Sequence, residues 1–208
     1  MEKSIVVDLF YLPPIEFFTA IQDYDRILVE RSDNYQKQTY RNRAQIRLAN
    51  KVETLSIPVY GGNKKKKYSQ IKIDYDQKWT NVHLRGIQSA YGKAPFFEHF
   101  FPYLEDVYKK KIDNLYDFNL ELLTLCLALL RMNIEVTETS QYREYGQETD
   151  LRGVIKTKET YSERAIYQPN PYMQLFGSDF VPNLSVIDLL FCEGPHSLRI
   201  LQNSRKIE

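Results

Sequence analysis

The spacing of apolar residues predicts that the chain opens with a strand, a short helix and a second strand. Residues 5–10 are β-branched and aromatic, which favours a buried strand, and the paired prolines at 13–14 end it. Apolar residues recur at helical spacing over 15–24, and residues 26–30 form the short apolar run of a second strand. A strand that returns after one helix favours parallel pairing in an α/β fold.

The middle of the chain changes to alternation of apolar and polar residues. The alternation covers 43–48 and 55–59 and continues at 71–73, which predicts an antiparallel hairpin or meander. The four consecutive lysines Lys64–Lys67 follow two glycines, so we expect this polar connection to be an exposed loop. A cluster of lysines can also attract a phosphorylated substrate or an anionic membrane surface.

The rest of the chain predicts a helical region after residue 76. Helices are predicted over 79–91, 96–110, 115–131, 186–191 and 195–203. Residues 134–139 predict a strand, and the polar stretch over 141–163 predicts a mobile loop or lid. The complete pattern predicts one α/β domain over residues 1–208 with a mixed sheet, and a cleft beyond the carboxyl ends of its strands near 11–14.

Composition excludes several classes of protein. Lys and Arg number 28 against 27 for Asp and Glu, so the chain lacks the positive charge of a general nucleic-acid binder. The two cysteines lie in apolar runs, which excludes a disulfide scaffold and a four-cysteine zinc site. The chain shows neither a signal peptide nor an apolar stretch of the roughly 20 residues that span a bilayer, so we expect a cytoplasmic protein. No sequence motif assigns a metal or a cofactor.

Two groups of polar residues in this sequence have side chains suited to catalysis or to anion binding. His83 follows Trp79 by four residues and shares its helix face, where an imidazole with a pKa near neutrality can act as a general acid or base. The alternative for His83 is a buried histidine satisfied by hydrogen bonds. Arg41 and Arg43 flank Asn42 on the predicted strand, and two guanidinium groups on one face can hold a phosphate or carboxylate. The alternative is a solvated strand face that discourages edge pairing.

Polar residues at predicted helix ends form a third group. Ser185 and Asp188 have the spacing of a capping box, and Asn183 lies just upstream of that helix start. A helix N-terminus also attracts anions, so capping and substrate binding can coexist there. Lys93 follows Tyr91 at a predicted helix end, where a cation stabilises the helix dipole or contacts a substrate.

Five blocks in fixed order carry a resemblance to a known family. They are Tyr11-Leu12-Pro13-Pro14, Tyr40–Arg43, Trp79 with His83, Tyr91–Phe97 and Phe180–Leu190. In this order and spacing, which cover almost the whole chain, they resemble the WbqC-like protein family. The high tyrosine content is similar to that of the branch found in Bacteroidetes-type bacteria.

This resemblance implies a role in bacterial surface-polysaccharide or O-antigen biosynthesis. It implies a transferase of aminoacyl or acyl groups that acts on a nucleotide-activated sugar, with His83 as the base and Arg41 and Arg43 on phosphate. Further substrate contacts are then expected at Tyr11, Asn42, Tyr91, Lys93, Asn183 and Ser185. The alternative is a non-catalytic binding or accessory protein that recognises an envelope precursor or a protein partner.

Overall fold

A computed structural model describes residues 2–62, 65–139, 142, 144–145 and 149–206. In chain order the elements are β1 (Ser4–Val7), α1 (Ile15–Ile21), β2 (Arg26–Val29), β3 (Arg43–Arg47), β4 (Val52–Ser56), α2 (Trp79–Tyr91), α3 (Phe97–Lys109), α4 (Leu115–Leu129), β5 (Glu135–Glu138), α5 (Val186–Glu193) and α6 (Ser197–Asn203). The predicted helices and strands therefore lie within a few residues of their observed positions.

Three strands form a parallel sheet in the order β1-β2-β5. Ser4 of β1 lies opposite Arg26 of β2, which lies opposite Glu135 of β5. The helix α1 connects β1 and β2, as the crossover of a parallel pair requires. The predicted α/β class and the parallel pairing of the first two strands are confirmed.

The antiparallel part of the sequence forms a hairpin and not a meander. Arg43 of β3 pairs with Ser56 of β4, whereas Ile73 makes a single bridge to Val59 outside any strand. Arg41 and Asn42 lie in the turn before β3. The prediction that both arginines share one strand face is therefore wrong.

Helix α2 shows how the apolar pattern fixes one face against the core. Its buried residues Trp79, His83, Ile87 and Ala90 are spaced by three and four positions, which places them on one stripe of the helix.

The two cysteines, Cys126 and Cys192, are buried and free. None of the helices in the described part of the chain has the length and apolar character needed to cross a membrane.

A segment from the predicted polar loop covers the carboxyl end of the parallel sheet. The Leu151 amide donates to the Val6 carbonyl at 2.9 Å, and the Gly153 amide donates to the Asp8 carboxylate at 2.7 Å. Arg152 forms an ion pair with the buried Glu30 at 2.8 Å. The cleft expected at this end is therefore filled by chain. Residues 141, 143 and 146–148 of the predicted loop lie outside the described residues, and a role as a lid stays a prediction.

Candidate functional site

Two adjoining cavities lie between the β2–β3 connection and the hairpin. The larger, of about 570 Å³, is here named the Trp79 cavity, and its lining includes Tyr35, Asn42, Ser56, Gly62, Gln77 and Trp79. The smaller, of about 210 Å³, is named the Arg43 cavity and is lined by Gln38, Tyr40, Arg43, Gln45, Thr54, Thr157 and Lys158. Gln38 lines both cavities, which therefore adjoin at this residue. The larger volume falls in the range of small-molecule sites.

The connection that forms the cavity wall is held in place by Arg41. Its guanidinium donates to the Asn34 carbonyl at 2.6 Å and to the Asp8 carboxylate at 2.8 Å, and it also pairs with Asp33. The Tyr35 amide donates to the Lys66 carbonyl at 2.9 Å, which fixes the opposite side of the same loop. Because Arg41 is buried and pairs with two carboxylates, its geometry supports positioning of the loop instead of direct phosphate binding.

Arg43 lies in a different environment although it follows Arg41 by two residues. It is half-buried, and its Nε has no hydrogen-bond partner in the part of the chain that the structure describes. Arg43 takes part in none of the ion pairs among the described residues. The exposed Lys158 lines the same cavity and adds a second positive charge. This arrangement can bind an anion through charge-assisted hydrogen bonds.

Two further groups shape the junction of the cavities. The Thr157 hydroxyl donates to the Gln38 carbonyl at 3.3 Å, and Gln38 has a φ of 62°, a backbone conformation that is uncommon for a residue other than glycine. Burial raises the pKa of Tyr40 on the wall of the Arg43 cavity, and the charge of Glu16 raises it further. Tyr40 therefore stays protonated near neutral pH and can donate a hydrogen bond.

His83 is part of a buried chain of hydrogen bonds. Its Nε2 lies 3.2 Å from the Ser56 carbonyl, which can only accept, so Nε2 carries the proton. Its Nδ1 then accepts from the Tyr11 hydroxyl at 2.8 Å, and Tyr11 in turn contacts the Tyr108 hydroxyl. Burial lowers the pKa of His83 to about 4, so the ring is neutral at pH 7. Both ring nitrogens are engaged inside the protein, which favours the structural alternative for this residue.

A third cavity brings His83 close to the candidate site. It has a volume of about 540 Å³ and lies between β4 and α2, with His83, Val82 and Gly86 in its lining. Ser56 and Trp79 line both this cavity and the Trp79 cavity. Ser56 and Trp79 therefore lie between His83 and the Trp79 cavity.

Asn183 and Ser185 do not have the helix-capping roles that their sequence positions indicated. The Asn183 side chain accepts from the Glu16 amide at 2.9 Å and so caps α1, not the helix that follows it. Glu16 is held at the same time by Arg164 at 2.6 Å. The Ser185 hydroxyl has no partner among the described residues, and α5 has no side-chain cap, so the predicted capping box with Asp188 is wrong.

The remaining predicted site residues lie apart from the two cavities. The buried Tyr91 hydroxyl accepts from the Arg47 amide at 3.2 Å, and Lys93 is exposed just beyond α2. Neither residue, nor Tyr11, is among those that line the two cavities. Of the predicted set, Asn42 lines the Trp79 cavity and Arg43 lines the adjoining Arg43 cavity.

Several lining residues could not be identified from the amino-acid pattern. Tyr35, Gln38, Thr157 and Lys158 belong to polar stretches without periodicity, where no pattern distinguishes a cavity wall from a solvated loop. Trp79 had a signal, because it shares a helix face with His83. In the described ranges, no group of three or more His, Cys, Asp or Glu side chains could hold a metal ion.

The amino-acid sequence matches a known protein family. The chain matches the family model of the WbqC-like protein family over residues 10–164 and 160–200. It is also similar to the uncharacterized protein Rv1507c of Mycobacterium tuberculosis, with 24% identity over 230 residues that cover 96% of this chain and 98% of that protein. No solved structure matches the chain significantly.

Proposed function

Because this chain belongs to the WbqC-like protein family, we propose that it is a transferase that acts on a nucleotide-activated sugar in bacterial surface-polysaccharide biosynthesis. The group transferred is an aminoacyl or acyl group. A nucleotide-activated sugar combines an anionic diphosphate with neutral hydrogen-bonding rings. The cationic Arg43 cavity suits the diphosphate, and the adjoining Trp79 cavity suits a neutral part of the same molecule.

The unpaired guanidinium of Arg43 is the observation that carries this proposal. The charge of a half-buried arginine without a carboxylate partner is available to pair with a phosphate. Hydrogen bonds to charged groups contribute about 1.5–3 kcal/mol each. Arg41, by contrast, serves the site by fixing the wall on which Tyr35 and Asn42 lie.

A binding experiment with matched variants tests the proposal. The purified protein is screened by thermal shift against UDP-, dTDP- and GDP-sugars, and the affinity of each hit is measured by calorimetry. A ligand at 100 times its dissociation constant stabilises the folded state by about 2.7 kcal/mol, which gives a clear shift. We expect Arg43→Gln to lose roughly tenfold or more in affinity, equivalent to about 1.4 kcal/mol. Lys93→Gln, which removes an exposed charge away from both cavities, is the control and keeps the parent affinity.

Two results would contradict the phosphate role. One is equal affinity of Arg43→Gln and the parent for a nucleotide sugar. The other is a lack of response to every nucleotide sugar in the screen. Either result would remove the ground for placing a diphosphate at Arg43.

The transfer step is tested at His83. As the predicted base, His83 would deprotonate the acceptor amine or hydroxyl of the sugar. The experiment measures turnover of His83→Gln with a nucleotide sugar that the variant still binds. A parent-like rate excludes the role of base, and loss of turnover with unchanged affinity supports it.

A second candidate function is that of a binding or accessory protein without chemistry. The observation in its favour is that Tyr11 and Ser56 already occupy both ring nitrogens of His83. This function predicts that a nucleotide sugar binds but is not consumed when amino acids, aminoacyl-tRNA or acyl carriers are added. Consumption of the sugar with any of these donors would decide for the transferase.

A further inference from the structure

A group of lysines without carboxylate partners lies beside the Trp79 cavity. In the described part of the chain no ion pair involves Lys65, Lys66, Lys67 or Lys72. Their own stretch of chain, residues 60–73, contains no Asp or Glu that could neutralise them. Asp33 on the adjoining loop pairs with Arg41 instead. The positive charge of this group is therefore free to act on a partner.

Backbone contacts bring the lysines of two segments onto one surface. The Tyr60 amide donates to the Lys72 carbonyl at 3.0 Å, and the Lys66 ammonium lies against Gly61. Gly61 also belongs to the lining of the Trp79 cavity, so this region adjoins the candidate site. We name the region the lysine surface, and it comprises Tyr60, Gly61, Lys65, Lys66, Lys67 and Lys72.

The side chains of the lysine surface reach solvent. Lys72 is exposed between the buried Ile71 and Ile73, so it points away from the core. Lys65 and Lys67 are also exposed, and Lys66 is half-buried. The Lys67 ammonium donates to the Ser32 carbonyl at 2.6 Å, which uses one of its three N–H groups. The Tyr60 side chain is 46% exposed and places an aromatic ring among these cations.

This combination of residues matches the surface of an anionic membrane. Clusters of about four to eight basic residues bind anionic lipid headgroups, and each lysine near such a surface contributes about 1 kcal/mol, or about fivefold in partitioning. Tyrosine is enriched where protein meets the headgroup layer. A nucleic acid is matched less well, because the whole chain has a net charge of only +1 and residues 60–73 contain no arginine.

We propose that the lysine surface binds the protein to membranes that contain anionic lipids, with the lysine ammonium groups on the lipid phosphates and Tyr60 at the level of the headgroups. This inference is independent of the proposed function, because it requires neither a sugar nor a transfer step. Since Gly61 belongs both to the lysine surface and to the Trp79 cavity, the bound protein holds that cavity near the lipid headgroups.

Sedimentation with lipid vesicles tests the proposal. The purified protein is mixed with vesicles of phosphatidylcholine alone and with vesicles in which phosphatidylglycerol replaces roughly a third of that lipid. We expect binding to the anionic vesicles only. Raising the salt concentration to about 1 M is expected to abolish this binding, because the Debye length then falls to about 3 Å.

A pair of double variants with equal loss of charge locates the contact. Lys65→Gln/Lys66→Gln is expected to reduce partitioning onto the anionic vesicles by more than tenfold. Lys109→Gln/Lys110→Gln is the matched control, because it removes two lysines that already pair with Glu105 and Glu121. We expect the control to stay within about twofold of the parent.

A single variant tests whether the two segments act as one surface. Lys72 lies outside the run of consecutive lysines but joins them through Tyr60. We expect Lys72→Gln to lower partitioning by a few-fold. An unchanged value would overturn the surface, since binding would then not depend on the folded arrangement of the two segments.

Three other results would overturn the proposal. The first is equal binding to vesicles with and without phosphatidylglycerol. The second is an equal loss of binding in the two double variants, which would indicate a response to net charge alone. The third is displacement of the protein from anionic vesicles by a short single-stranded DNA whose binding is lost in Lys65→Gln/Lys66→Gln, which would assign the surface to nucleic acid.

Discussion

Polar side chains have hydrogen-bond partners at the carboxyl end of the parallel sheet, whereas some of those in the walls of the two cavities lack them. At the sheet, Asp8 accepts from Arg41 at 2.8 Å and from the Gly153 amide at 2.7 Å, so each of its carboxylate oxygens has a donor. At the cavities, Arg43 and Trp79 each retain a polar atom without a partner in the described chain. Saturated groups stabilise the fold, whereas a cation without a carboxylate partner can pair with an anionic ligand. Arg41 and Arg43, two residues apart, fall on opposite sides of this division.

The largest expected effect is the loss of stability in Arg41→Ala. Arg41 is 5% exposed, and its removal leaves the 7% exposed side chain of Asp8 without its cationic partner. Removing one partner of a buried ion pair costs about 3–5 kcal/mol. We expect a loss of that size in the free energy of unfolding, measured by urea denaturation.

Arg31→Ala is the matched control for this prediction. Arg31 also pairs with a carboxylate, Glu138, but the two side chains are 45% and 35% exposed. Exposed pairs contribute about 0–1 kcal/mol. If Arg41→Ala were no more destabilising than Arg31→Ala, the buried ion pair of Arg41 would not be a main contributor to the stability of the fold.

His83 provides the next largest effect, through the pH dependence of stability. Burial lowers its pKa in the folded protein to about 4 from the ordinary value of 6.5. Between these two pH values the unfolded chain binds a proton at this position that the folded chain does not. The folded state is therefore progressively destabilised as the pH falls from about 6.5 to about 4, by about 3 kcal/mol in total.

The measurement compares urea denaturation of the parent and His83→Gln over this pH range. Carboxylates titrate in both proteins, so the difference between them isolates the histidine. We expect His83→Gln to be less stable at pH 7, where it loses the contacts to Tyr11 and Ser56, and to lose less stability on acidification. Parallel pH profiles of the two proteins would show that His83 is not held neutral by burial.

The elements were predictable because periodicity reflects burial. Trp79–Tyr91 was predicted and observed with the same bounds, since the apolar stripe of α2 defines both its period and its length. The parallel pairing of β1 and β2 followed from one short helix between two apolar runs. Of the two alternatives, the hairpin formed and the meander with a further strand near Ile73 did not, because alternation over three residues does not determine whether a partner strand lies beside it.

The site was less predictable because it depends on long-range partners. Asp8 precedes Arg41 by 33 residues, and Asn183 contacts Glu16 across 167 residues. No local spacing indicates that Asp8 forms an ion pair with Arg41 while Arg43 remains unpaired. Conversely, Tyr35 and Gln38 became part of the site only because Arg41 folds their loop against the hairpin.

Arg43→Gln is expected to have the smallest effect on stability, and it tests the contrast with Arg41 directly. The guanidinium of Arg43 forms no ion pair with the described residues, and glutamine keeps much of the aliphatic stem that packs against its surroundings. Substitutions that break no buried contact usually change stability by about 0.5 kcal/mol or less. We expect urea denaturation of Arg43→Gln to stay within that range at pH 7 and low salt. A destabilisation close to that of Arg41→Ala would mean that Arg43 has a structural partner. Arg43 would then not be an unpaired cation in the Arg43 cavity. A neutral result, combined with the tenfold loss of nucleotide-sugar affinity expected for the same variant, would separate function from stability at this position.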